Sequence, residues 1–123
     1  MSRILLYIVG FKIGHNALHD ECGASMARAL FKPNEIVVLD MSFCEMGKKA
    51  MLTVFDLLES NTSLTELNVS GNATNKDGIR ALTRALKTNK TLLKLGLRHC
   101  DIAKVNIIPF ICQVSAKPSI YIP

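Results

Sequence analysis

The sequence predicts an α/β repeat architecture in which short strands alternate with amphipathic helices every 28 residues. Displacing the chain against itself by 28 brings four segments into line: Ile8–Leu18, Ile36–Met46, Leu64–Thr74 and Leu92–Ile102. Between them lie stretches whose apolar residues recur at helical spacing. Strand–helix alternation at this distance gives parallel strands with right-handed crossovers, because a parallel return needs a dozen or more residues. Each unit must bury its apolar face against its neighbours.

The strand segments follow the template LxxLxLxx(N/C)xL. Its apolar columns hold Ile8, Ile36, Leu64, Leu92; Phe11, Leu39, Leu67, Leu95; Ile13, Met41, Val69, Leu97; and Leu18, Met46, Thr74, Ile102. Fifteen of these 16 sites are apolar, where the 49% hydrophobic background would supply about eight. Thr74 is the exception. The ninth column holds Asn16, Cys44, Asn72 and Cys100. There the chain leaves the strand and turns inward, so backbone groups lose their ladder partners and a short hydrogen-bonding side chain must satisfy them. Asn donates and accepts, while Cys is smaller and tolerates burial. A structural role for Cys44 and Cys100 is therefore favoured over a redox or metal role, which would need ligand spacing that is absent.

The helices follow in order. In the first unit Met26, Ala29 and Leu30 form the expected buried stripe, ended by Pro33. In the second the stripe is Met51, Val54, Leu57 and Leu58, before Asn61. In the third Ile79, Leu82, Ala85 and Leu86 face inward and Arg80, Thr83, Arg84 and Lys87 outward, with Thr74 or Asn75 as cap. In the fourth, Ile107, Phe110 and Val114 keep the phase, but Pro109 and Pro118 predict an irregular unit.

At 123 residues the chain is read as one domain, with repeats at about 8–35, 36–63, 64–91 and 92–119. The hydrophobic content excludes disorder. The stretch Met1–Phe11, a basic residue followed by the apolar run Ile4–Phe11, resembles the front of a secretory signal, but no small-residue cleavage site follows. It is also far shorter than the roughly 20 residues a bilayer requires. A buried strand is the preferred reading, with no membrane span. Four cysteines at 22, 44, 100 and 112 form no CxxC pair, which points to reduced thiols and a cytoplasmic location. Sequons occur at Asn61, Asn68, Asn72 and Asn89, yet Asn72 belongs to the ladder and Asn61 and Asn89 to helix-to-strand turns.

The strand segments, helix stripes and Asn16/Cys44/Asn72/Cys100 alternation resemble the ribonuclease-inhibitor-like class of leucine-rich repeats, including those of ribonuclease inhibitor and NOD-like receptors. Stretches such as Ser60–Leu67 and Asn89–Leu97 are also similar to repeats of tropomodulin and Ran GTPase-activating protein. The resemblance implies a leucine-rich-repeat α/β solenoid of about four units. Parallel strands would line its concave face and helices its convex one.

On that concave face the side chains between the inward columns are expected to meet solvent: Lys12, Asp40, Asn68 and Gly96; Gly14, Ser42, Ser70 and Arg98; His15, Phe43, Gly71 and His99; and nearby Val38, Glu66 and Lys94. Aromatic and arginine side chains favour interface cores, so Phe43, Arg98 and His99 lead as candidates, with Lys12, His15, Asp40, Glu66, Asn68 and Lys94 around them. Catalysis is not expected. His15 and His99 stand three strands apart, roughly 14 Å, too far to share a metal. No GxSxG, P-loop or HExxH occurs, and no cofactor is implied. The polar cluster His19, Asp20, Glu21 and Cys22 reads as helix capping.

The leading expectation is a non-enzymatic module that binds another protein through the concave sheet and strand-exit loops. The alternative is a repeat segment of a larger sensor or GTPase regulator. A weaker one is nucleic-acid binding through the basic stripe Arg80, Arg84 and Lys87, within a stretch (76–104) carrying eight basic and two acidic residues. Apolar residues at both ends, among them Ile4, Leu5, Ile120 and Ile122, also predict self-association or membership of a longer array.

Overall fold

The computed structural model describes residues 8–31, 36–100 and 119–121. The chain runs β1 (Ile8–Lys12), α1 (His19–Leu30), β2 (Ile36–Asp40), α2 (Lys48–Ser60), β3 (Glu66–Asn68), α3 (Lys76–Thr88), β4 (Lys94–Gly96) and β5 (Ser119–Tyr121). All five strands form one sheet in sequence order, and every pair is parallel. From β1 to β4 the register is the 28-residue offset of the sequence, as in Phe11↔Leu39, Leu39↔Leu67 and Leu67↔Leu95. The last step is shorter, since Leu95 pairs with Ile120. A strand at Ser119–Tyr121 is not among the elements the 28-residue repeat predicts; it pairs with β4. Ile4–Leu6, Pro33, Ile102, the stretch around Pro109, Cys112 and Pro118, for which the sequence carries expectations, lie outside the described residues.

One core lies between sheet and helices. Leu39, Met41, Leu64, Leu67, Val69, Leu92, Leu95 and Leu97 point inward from the strand segments and are no more than 2% exposed. They meet Ala50, Met51, Val54, Phe55 and Leu58 of α2 and Ile79, Leu82, Ala85 and Leu86 of α3. Helix α2 packs on both α1 and α3. Several expected faces shift. In α1 the buried residues are Gly23, Ala24 and Ala27, with Met26 and Leu30 half-buried beside them, whereas Ala29 is exposed. The small residues face α2 because Met46 fills the space in front of Gly23. In α3 Thr83 is buried, its hydroxyl donating to the Ile79 carbonyl at 2.9 Å. That bond removes the cost of burying a hydroxyl one turn away from the apolar stripe.

The ninth-column residues tie each unit to the one before it. Cys44 Sγ donates to the Ile13 carbonyl (3.2 Å), Asn72 Nδ2 to Met41 (2.9 Å) and Cys100 Sγ to Val69 (3.3 Å), each reaching back 31 residues. Asn72 Oδ1 also accepts the N–H groups of Cys44 and Met46, both at 3.0 Å. Burial raises the Cys44 thiol pKa; the Asp40 charge adds to that, while hydrogen bonds with the backbone of Asn16 and His15 oppose it. The thiol form is thus favoured where it must donate. Asn16 occupies the same column but is exposed, and its amide bonds only within its own turn, to Ile13 and Gly14.

A second ladder runs at the opposite end of the helices. Asn89 Nδ2 donates to the carbonyls of Leu58 and Asn61, both at 2.9 Å, and its Oδ1 accepts from Thr91 and Leu92. Asn61 repeats the pattern toward Phe31, Ser63 and Leu64. Helix starts are capped in two ways. Asn75 caps α3 through the Gly78 N–H (3.1 Å). Helix α2 begins at Gly47, which has no capping side chain of its own; Asp20 of α1 accepts from Gly47, Lys49 and Ala50 instead. The capping expected of the His19–Cys22 cluster is therefore given to the next helix.

Two stability predictions follow from this bonding. Asn72→Ala strands two buried N–H groups and a buried carbonyl, so urea unfolding should show a loss of about 3 kcal/mol, against under about 1 kcal/mol for Asn16→Ala in the same column. Equal losses would refute the ladder's role. Thr74 breaks the fourth apolar column, and its hydroxyl oxygen is buried without a hydrogen-bond partner among the described residues. Thr74→Val should therefore raise stability by about 1 kcal/mol, read as a higher urea midpoint.

Candidate functional site

The strands present a groove of about 410 Å³ on the face away from the helices. Six of the expected site residues line it: Lys12, Asp40, Glu66, Asn68, Lys94 and Arg98. Their roles differ. Lys94 Nζ and Glu66 Oε1 form an ion pair at 3.2 Å across adjacent strands. Asp40 Oδ1 accepts the Ser42 N–H at 2.8 Å, and Asn68 Oδ1 accepts that of Ser70 at 3.0 Å. Both half-buried side chains therefore shape the strand exits as well as facing the groove. Lys12 and Arg98 are exposed, and among the described residues neither is held in an ion pair.

Three expected surface positions are corrected. Ser42 and Ser70 are buried, and so is Gly96. The serines sink because the chain begins its inward turn at them, and Ser70 Oγ accepts the Arg98 N–H at 2.9 Å. The residue that aims Arg98 was thus missed, although its place 28 residues earlier was the available signal. At Gly96 an added Cβ would lie 2.5 Å from Asn68 Oδ1, so its absence leaves room for the Asn68 turn.

His15, Phe43 and His99 form a separate row beyond the strand ends. The four residues of this column all have left-handed backbone: φ is 63° at His15, 53° at Phe43, 76° at Gly71 and 58° at His99. The turn that delivers the ladder residue into the core demands this conformation from each unit. Glycine adopts it freely, histidine with moderate ease, and phenylalanine rarely. Phe43 stacks on His15, with ring centroids 5.0 Å apart and planes 11° from parallel, and its centroid lies 6.3 Å from that of His99. Its ring lies over Gly71, where a Cβ would fall 2.3 Å from the ring carbon Cδ1. The missing side chain lets Phe43 reach across a strand. Phe43 remains 41% exposed.

The convex basic stripe is partly neutralised. Arg84 pairs with Asp56 (3.2 Å) and Glu59 (3.5 Å) of α2, and Arg80 with Asp77 (3.4 Å). Among the described residues no cluster of His, Cys, Asp or Glu is arranged to hold a metal ion, and no helix is long and apolar enough to cross a membrane. Cys22 is exposed, whereas Cys44 and Cys100 are buried, and all three are free thiols. Asn61, Asn72 and Asn89 are buried with their amides bonded, so these sequons are closed to glycosylation in the folded chain.

A leucine-rich-repeat family model matches residues 60–82, from the end of α2 into α3. The chain is built of leucine-rich repeats. Over 94 residues, 75% of the chain, these repeats are 32% identical to human NACHT, LRR and PYD domains-containing protein 13. Over 68 residues, 54% of the chain, they are 35% identical to mouse NACHT, LRR and PYD domains-containing protein 4B. They span only 9% and 8% of those two proteins. The likeness to repeats of NOD-like receptors is therefore shown, along with the α/β solenoid those repeats build.

Gly71→Ala should displace the Phe43 ring. The His15 ring-proton resonances, shifted by stacking under Phe43, should then move toward their ordinary positions. Unchanged shifts in a folded variant would show that the ring does not depend on the glycine.

Proposed function

We propose that the chain is a non-enzymatic protein-interaction module whose concave sheet and strand-exit loops receive a protein partner. The observation that carries this reading is Phe43: a large apolar ring, 41% exposed, on left-handed backbone and flanked by His15 and His99 beyond the strand ends. Backbone strain of that kind stands where the surrounding structure holds it, and it clusters at sites that bind. The side chains proposed to meet the partner are Lys12, His15, Asp40, Phe43, Glu66, Asn68, Lys94, Arg98 and His99. The free thiols of Cys22, Cys44 and Cys100 support action in the cytoplasm.

A second reading is compatible with the first: the repeats serve as a segment of a larger regulatory protein of the NOD-like kind. Its support is that the matched relatives carry NACHT, LRR and PYD domains in their names and are about tenfold longer than the matched segment. Nucleic-acid binding through Arg80, Arg84 and Lys87 is disfavoured, because carboxylates already face both arginines.

Photo-crosslinking in cells distinguishes the faces. A photoreactive amino acid at position 12, 43 or 98 should trap a discrete protein adduct, while the same residue at 80 or 87 should not. Adducts from the convex positions alone would overturn the proposal.

A further inference from the structure

We infer that the partner segment received by the concave groove is acidic and extended, with two carboxylates four residues apart that meet Lys12 and Arg98. This inference rests on the proposed concave binding face and adds the chemistry of its occupant. Five charged side chains line the groove, three basic and two acidic. The two acids are already engaged: Glu66 by Lys94 at 3.2 Å, and Asp40 by the Ser42 N–H at 2.8 Å. The Lys12 ammonium and Arg98 guanidinium are exposed at opposite ends, with no ion pair between them and any described carboxylate. The groove therefore carries a net charge of +1, with a cation free of ion pairs at each end and the Asp40 carboxylate one strand from Lys12.

The spacing sets the ligand's length. Lys12 lies in register with Asp40, Asn68 and Gly96, and Arg98 stands two residues beyond Gly96. Three strand spacings plus that offset separate the two cations by roughly 14–16 Å. An extended chain advances about 3.3 Å per residue and alternates its side chains, so carboxylates at i and i+4 share one face and come within reach of both cations. A segment crossing the strands there runs beside the aromatic row. An apolar residue between its two acids would pack on the exposed ring of Phe43.

Arg98 is the better-fixed of the two anchors. Its N–H is held by Ser70 Oγ and its carbonyl accepts the Gly71 N–H at 2.7 Å, so the guanidinium projects from a bonded backbone. A guanidinium also presents a planar fork that matches a carboxylate in two-pronged fashion. Arg98→Lys should therefore weaken binding even though the charge is kept.

The test is titration of the full chain with the fluorescein-labelled peptide Glu-Ala-Phe-Ala-Glu, its Gln-Ala-Phe-Ala-Gln counterpart, and a labelled oligothymidylate. The Glu peptide should bind at least about tenfold more tightly than the Gln peptide at low salt, with the difference shrinking by 0.5 M salt. Lys12→Glu and Arg98→Glu should each weaken it about tenfold, while Lys87→Glu on the convex face leaves it unchanged. Circular dichroism of each variant excludes misfolding as the cause. Equal binding of the two peptides, no binding of either, or oligothymidylate binding with the same dependence on Lys12 and Arg98 would overturn the inference. The photo-crosslinking outcome is independent of it: concave adducts with no preference for the Glu peptide would leave the interaction face standing and remove only its acidic specificity.

Discussion

The structure depends on a side chain of each unit reaching back to a strand carbonyl of the unit before. Where a strand ends and the chain turns inward, the carbonyls of Ile13, Met41 and Val69 need a donor, and the next unit supplies it through Cys44, Asn72 and Cys100. The two donor types solve the remaining problem differently. Asn72 has an oxygen to offer, and it accepts the N–H groups of Cys44 and Met46. Cys44 has none, and its backbone carbonyl accepts the N–H groups of Leu18 and His19 instead, at 3.0 and 3.1 Å. At Cys44 the backbone carbonyl thus takes the Leu18 N–H, whose counterpart one unit on, that of Met46, goes to the Asn72 side chain.

This constraint spreads outward. The Asn61 and Asn89 ladder pins the helix-to-strand turns to the previous unit, and Asp20 pins the start of α2 to α1. Strand exits, helix starts and helix ends are therefore all bonded across units, with the apolar columns sealed between them. Such a chain unfolds by losing interfaces between units, not single contacts. Among the solvent-facing side chains Glu66 and Lys94 also bond across units, whereas the Lys12, Phe43 and Arg98 side chains take no part in that bonding among the described residues.

What the sequence made legible was whatever repeats at 28. The inward columns, the four register-matched strands, the Asn/Cys column and the stripe of α3 were all readable, because the same environment recurs and the same residue type answers it. Features that break the repeat were not. The inward face of α1 is carried by Gly23, Ala24 and Ala27, and alanine also stands at exposed position 29, so residue type does not tell the two faces apart. Strand β5 sits at an offset of 25 from β4, out of step with every other pair. The contact of Phe43 with Gly71 joins one residue's bulk to another's lack of a side chain, and Asp20 serves a helix nearly 30 residues away. Such pairings are visible only once neighbouring units are stacked.

The same distinction separates framework from site. The left-handed turn at His15, Phe43, Gly71 and His99 is required of every unit by the ladder residue that follows it, yet glycine meets that requirement at one position only. At the other three a ring is carried at a conformational cost of about 1–2 kcal/mol each. The folding problem would be solved more cheaply by glycine throughout. Stacking returns part of the difference at His15 and Phe43, since offset aromatic pairs contribute roughly 0.5–1.5 kcal/mol. It does not account for leaving Phe43 two-fifths exposed. A ring held rigid on a bonded turn, with little entropy left to lose, is the kind of surface on which a partner gains the most per contact, and this row has it beside a groove whose two ends carry exposed cations.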